Sequence, residues 1–197
     1  MKPNEKNVVI TSAVRTPIGT LGGALKNIQG HILGSVVIKE VLKRSKIKSN
    51  NVDEVIMGQV LTGSAGQNPA RQAAIQAGLP IDKTAYVINQ VCGSGLRSVA
   101  AGYQAIMSND ANIIVAGGQE SMSNAPHAIN IRKGQKLKES KLVDTMIKDG
   151  LWDAFNGYHM GITAENVASK WQITRKDQDD FALSSQTKTE KAQKDGK

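Results

Sequence analysis

Short apolar runs rich in β-branched residues alternate with longer stretches of helical periodicity through residues 8–120, and this alternation constrains the fold more than any other feature. Residues 8–14, 55–61, 86–91 and 113–116 read as strands, each followed by a glycine or a turn. Between them, residues 31–44 carry Ile32, Leu33, Val36, Val37, Val41 and Leu42 on one face, which predicts an amphipathic helix. Asn68 then reads as an N-cap with Pro69 at the first helical position, and Gly78 closes that alanine-rich helix. A third helix is expected from Cys92 onward, with Leu96, Val99, Ala100, Tyr103, Ile106 and Met107 as its apolar stripe. Strands alternating with helices predict an α/β layered fold on a largely parallel sheet.

Composition narrows the class. A chain of 197 residues, 40% apolar and 21% charged, can bury a core without staples and is neither disordered nor collagen-like. Aromatics are scarce at 4% while glycines number 19, so small residues and close backbone contacts are expected to dominate the packing. No apolar run approaches the roughly 18 residues of a membrane span. Residues 1–9 resemble neither a secretory signal nor a transit peptide, so a cytoplasmic location is expected. The single cysteine, Cys92, excludes an internal disulfide and suits a reducing compartment. The net charge of +8 is spread along the chain. One basic cluster, Lys39, Lys43, Arg44, Lys46 and Lys48, falls where cations complement a helix C-terminus. No aromatic residue interleaves it, so neither nucleic acid nor a membrane is an expected partner. A diffuse positive field still favours an anionic small substrate.

Beyond Glu120 the pattern loosens. Residues 121–161 read as loop, followed by helices over 164–171 and 175–193, the second opened by the capping pair Thr174 and Asp177. The expected division is a core over 1–120 and a partial loop domain over 121–197.

Cys92 follows a strand and opens a helix. The first turn of a helix offers unpaired N–H groups and the positive end of its dipole. A thiol there is expected to ionise more easily. Its attack on a carbonyl would leave an oxyanion close to those N–H groups. Gly93 and Gly95 add no bulk. The setting suits a nucleophile; a lone cysteine is equally a small buried hydrophobe. The same loop nearly fits a dinucleotide fingerprint, with Glu120 ending the next strand. Ser98, however, stands where the third glycine belongs. His31, His127 and His159 show no metal-ligand spacing, so no metal site is expected. His159 is set apart by its flanking glycines in Gly157-Tyr-His-Met-Gly161.

The stretch Ile88-Asn-Gln-Val-Cys92-Gly-Ser-Gly-Leu-Arg-Ser-Val99, with Ile106 beyond it, resembles the acyl-enzyme signature of the thiolases. Similar to theirs too are Val14-Arg-Thr-Pro17, Gly58-Gln-Val-Leu61 and Gly66-Gln-Asn-Pro-Ala-Arg-Gln-Ala73. The same holds for Val115-Ala-Gly-Gly-Gln-Glu-Ser-Met122, Met146-Ile-Lys-Asp-Gly-Leu151 and Gly157-Tyr-His-Met-Gly161. Within the family the likeness is to the biosynthetic acetyl-CoA acetyltransferases. The resemblance implies helices on a mixed five-stranded sheet, of which this chain shows four strands, plus part of a loop domain. It implies acetyl transfer between acetyl-CoA molecules to give acetoacetyl-CoA, or the reverse, with Cys92 carrying the acyl group. It places Leu151, His159 and Met160 near coenzyme A and the thioester. Coenzyme A thioesters enter as substrate and product, with no further cofactor. It also implies a dimer or tetramer. Arg132, Lys133, Lys136 and Lys138 fall at the family's tetramerisation loop.

The resemblance further implies a protein about twice this length. Its second half supplies a histidine in Gly-His-Pro, a cysteine in Cys-x-Gly and an asparagine that holds water. No Gly-His-Pro occurs here, and Cys92 has no second cysteine beside it. The chain thus reads as truncated and is expected to be inactive alone; a split gene whose other half is a separate chain, a pseudogene product and a partly recorded chain all fit this pattern. The alternative is a non-catalytic, degenerate fragment that keeps only dimerisation or coenzyme A contacts.

Overall fold

The run Glu54-Val-Ile-Met-Gly58 is almost wholly enclosed, as a strand covered on both faces must be. A computed structural model of the chain describes residues 7–132 and 141–196. In chain order the main elements are α1 (Gly30–Ser45), β1 (Glu54–Gly58), α2 (Pro69–Gln76), β2 (Thr84–Ile88), α3 (Ser94–Met107) and β3 (Ile114–Gly118). A short ribbon of β4 (His127–Ala128) and β5 (Val143–Asp144) follows, then α4 (Met160–Lys170) and α5 (Arg175–Lys194). The chain forms two compact units, residues 1–150 and 151–197.

In the first unit, β1 lies between β2 and β3, all three parallel, with Ile56 level with Tyr86 and Ala116. Val55 and Met57 point to one face, where they meet Ile38 and Leu42 of α1 and Ala70, Ala73 and Ala74 of α2. Burying the valine, methionine, isoleucine and leucine side chains contributes roughly 1.5–3 kcal/mol each, and the alanines less. On the other face, Gly102 of α3 sits directly over Ile114 and Ala116. The segment just after Glu120 is tied back to α1's approach: the Ser121 hydroxyl donates to Ile28 O (2.9 Å) and Asn124 Nδ2 to Lys26 O (2.9 Å).

The α/β class stands, and several elements differ from expectation. Residues 8–14 form no strand, since no strand of the sheet pairs with them, and Ile10 is 79% exposed. Their β-branched content reports a fit to a pleated surface, which is realised only beside a partner. The sheet therefore has three strands here where four were expected. The helix faces also differ from expectation. On α1 the predicted stripe is split: Leu42 is buried and Val41 packs against the core, while Ile32 and Val36 face solvent and Gly30, Gly34 and Ile38 join the buried side. On α3 the buried side is Ser94, Ser98 and Gly102, and the large stripe of Leu96, Val99, Tyr103 and Met107 is exposed. Small residues let the α3 backbone approach the sheet and α1 approach α2, as the glycine-rich, aromatic-poor composition suggests.

Other details match. Asn68 caps α2 by accepting the Arg71 N–H (3.1 Å), Pro69 opens the helix, and Gly78 turns left-handed behind it. Lys46 closes α1 in a left-handed conformation, its N–H bonded to the last carbonyls amid the lysine cluster. Thr174 and Asp177 form the reciprocal capping box of α5. No helix among the described residues is long and apolar enough to cross a membrane.

Candidate functional site

Strand β2 stops at Ile88, earlier than its apolar run suggests, because the next residues bond to one another. Asn89 Oδ1 accepts the Val91 N–H (2.9 Å), replacing a ladder bond by an Asx turn. Val91 then adopts φ +49°. A β-branched residue pays roughly 1–3 kcal/mol for a left-handed conformation. Ser94 closes the turn: its hydroxyl donates to Val91 O (2.6 Å) and accepts the Gln90 N–H (2.8 Å). The backbone adds Gly93 N–H to Gln90 O (3.0 Å) and Ser94 N–H to Val91 O (3.1 Å). Gly93 is the N-cap of α3, so Cys92 stands just ahead of the first helical turn, where the expected helix already included it. Its thiol is exposed, which removes the reading of a buried hydrophobe.

The platform under this turn is built from close contacts. Gly58, the last residue of β1, lies directly beneath the first turn of α3. A Cβ there would overlap the Ser94 carbonyl carbon and lie 2.6 Å from Gly95 N. Ser98 is fully buried, with its Oγ 2.6 Å from Gly95 O and 2.7 Å from Gly117 O, and so pins α3 to β3. The loop after β1 is held by two buried glutamines: Gln119 Nε2 donates to Gln59 Oε1 (2.9 Å), and Gln59 Nε2 to Leu61 O (3.1 Å). Glu120 Oε2 accepts the N–H groups of Val60 (2.8 Å) and Leu61 (3.3 Å). The carboxylate thus anchors a loop through Oε2 and has its other oxygen buried, out of reach of a ribose hydroxyl, which counts against the dinucleotide reading.

The remaining predicted residues lie in the second unit. His159 is the N-cap of α4, its Nδ1 accepting the Gly161 N–H (3.0 Å). A neutral ring in that arrangement carries its proton on Nε2. This cap starts α4 at Met160, ahead of the expected 164. Trp152 bridges His159 in antiparallel fashion, and the Asp153 N–H donates to Tyr158 O (2.8 Å). That register sets Leu151 across from Met160, so Leu151, His159 and Met160 gather at the neck of one loop. Asp153 braces the loop from within. The Asn156 side-chain amide (2.8 Å), followed by the backbone N–H groups of Asn156 and Phe155, holds its carboxyl below the usual range. Of the basic loop, Lys133, Lys136 and Lys138 lie outside the described residues. Among the described residues no three His, Cys, Asp or Glu side chains gather as around a metal ion.

Sequence reasoning missed Ser94, Val91 and Gly58 as supports of Cys92. A hydroxyl residue between two glycines at a helix start is legible as a backbone-bonding position, although Ser94 bonds backward to the turn and does not cap the helix. The left-handed Val91 is not, because β-branching reads as strand.

The profile of the family described as "Thiolase, N-terminal domain" matches residues 8–197. An acetyl-CoA acetyltransferase of Rhizobium meliloti is 60% identical over 191 residues, covering 97% of this chain and 49% of its own. That of Paracoccus denitrificans is 60% identical over 189 residues, covering 96% and 48%. A cytosolic acetyl-CoA acetyltransferase of Rattus norvegicus is 51% identical over 196 residues, covering 100% and 49%. The chain spans about half the length of the curated relatives it matches.

Proposed function

The chain belongs to the thiolase family, and on that premise we propose that it supplies the acyl-accepting part of an acetyl-CoA acetyltransferase. The observation that carries this reading is an exposed Cys92 on a braced turn at the head of α3. The Cys92 sulfur, as thiolate, attacks the carbonyl carbon of acetyl-CoA. The carbonyl electron pair moves to oxygen, next to a helix N-terminus whose N–H groups stabilise negative charge. When the carbonyl re-forms, the bond to the coenzyme A sulfur breaks, and coenzyme A leaves as a thiolate that takes up the proton Cys92 lost. The acetyl group then passes from Cys92 to the α-carbon of a second acetyl-CoA, giving acetoacetyl-CoA; the reverse sequence is thiolysis.

Leu151, His159 and Met160 contact the thioester and pantetheine in this reading, supported by their gathering at one loop neck. Coenzyme A thioesters are substrate and product, without a bound cofactor. Removing an α-proton from the second acetyl-CoA needs a base, which the resemblance assigns to a second cysteine. Condensation therefore requires a polypeptide that supplies one. A homo-oligomer and a cytoplasmic location complete the proposal, the latter supported by the cytosolic rat relative.

Incubation with radiolabelled acetyl-CoA tests the first step. Wild type should retain one thioester-bound label that hydroxylamine releases, and Cys92→Ala should retain none. An unlabelled wild type, alone or with a polypeptide corresponding to the rest of the relatives, would instead favour the degenerate fragment.

A further inference from the structure

We propose that Ser94 is a positioning residue for the nucleophile: its hydroxyl clamps the left-handed turn at Val91 and thereby fixes where the Cys92 sulfur stands. The inference rests on the reading of Cys92 as the acyl acceptor, but its physical content is local. Ser94 is 4% exposed and uses its hydroxyl in both directions. The proton goes to Val91 O and a lone pair takes the Gln90 N–H. Val91 O belongs to the peptide that ends in the Cys92 nitrogen. That peptide is trans and planar, so holding its oxygen fixes the orientation of the whole plane. Val91 supplies the reason a clamp is needed. At φ +49° its backbone would relax toward an extended or right-handed well if nothing held it. Relaxation at Val91 would swing the next residue, Cys92, away from the head of α3. Ser94 itself cannot drift, because its own backbone rests on Gly58.

Ser98 offers an internal control. It is one helical turn further on, buried to 0% exposure and bonded to two backbone oxygens, Gly95 O and Gly117 O. Neither bond reaches the 90–92 turn. A merely structural serine in this helix should behave like Ser98.

The experiment follows carboxamidomethylation of Cys92 by iodoacetamide in the full chain, by mass spectrometry at neutral pH, alongside amide hydrogen exchange. In Ser94→Ala the alkylation rate should fall about tenfold, as expected for loss of two hydrogen bonds that hold the turn. Exchange at Gln90 and Cys92 should accelerate. Ser94→Thr, which keeps the hydroxyl, should restore both, and Ser98→Ala should lower stability while leaving both unchanged. Equal alkylation of Ser94→Ala and wild type, or equal slowing in Ser98→Ala, overturns the proposal. If Ser94→Ala does not fold, the comparison moves to the Val91→Gly background, where the left-handed turn carries no Cβ penalty. With the strain that the clamp opposes gone, removing the hydroxyl should matter little there: a double variant that alkylates nearly as fast as Val91→Gly supports the clamp, and a full slowing of about tenfold overturns it. Radiolabelled acetyl-CoA is run in parallel. Alkylation that depends on Ser94 in a chain acetyl-CoA does not label would sustain the clamp and remove the acyl-acceptor reading; the opposite pattern would do the reverse.

Discussion

Cys92 owes its place to residues that carry no chemistry of their own. Gly58 is the clearest case. Its missing side chain is the space occupied by the Ser94 peptide, and the obstructing atoms are backbone, which cannot rotate away. Gly58→Ala should therefore destabilise the first unit by about 1–3 kcal/mol, the usual cost of overpacking. It should also slow Cys92 alkylation, because the lifted turn belongs to α3. Urea unfolding and the iodoacetamide rate measure the two effects. If stability falls with the rate unchanged, Gly58 supports the sheet and not the thiol. At this scale the sequence was legible where local chemistry sets the backbone: the Asn68 cap and the Thr174–Asp177 box lie where expected, and Cys92 stands two residues ahead of the helix it was expected to open. Val91 was illegible because its conformation is imposed by Asn89 and Ser94, against its own preference.

Among elements, α3 follows a logic that hydrophobic periodicity misreads. It has a large apolar stripe and a small-residue side, and the sheet takes the small side, with Ser94, Ser98 and Gly102 spaced by four. Periodicity located both helices but picked the wrong face of α3 and only part of the buried face of α1, since it cannot weigh close backbone approach against side-chain volume. The strand at 8–14 failed for a related reason: a ladder needs a neighbour, and propensity says nothing about whether one is present. The junction of α3, β3 and β1 depends on Asp53, whose carboxylate accepts the N–H groups of Asn112 (2.7 Å) and Ile113 (3.0 Å). These bonds, the Asn112 one foremost, hold its pKa below the ordinary carboxylate value. A group depressed on folding stabilises fully above its unfolded pKa, and that contribution disappears as pH falls through the folded one. Asp53→Asn should thus lower the melting temperature near neutrality and flatten its decline below the ordinary carboxylate range. Parallel melting curves of equal slope in acid would show that Asp53 is not the linked group.

For the whole molecule, burial is uneven. The face of α3 turned from the sheet leaves Leu96 78% and Tyr103 52% exposed, and Val9 and Ile10 are open as well. An exposed apolar helix face of this kind promotes association. The chain alone should sediment as more than a monomer at micromolar concentration, and Leu96→Glu with Tyr103→Glu should shift it toward the monomer. A monodisperse wild-type monomer would exclude that face as the cause. Family and core topology were readable because many short motifs occur in order along the chain. Surface cover was not, since it depends on what each face meets.

The left-handed valine beside the thiol sets stability and reactivity against each other. Glycine or asparagine at 91 would relieve a backbone penalty of about 1 kcal/mol or more, so selection for heat resistance alone would drift toward them. The same change would loosen the hinge on which the sulfur turns. Position 91 is therefore where a hardier version of this chain is most easily found, and where hardiness is most easily mistaken for improvement.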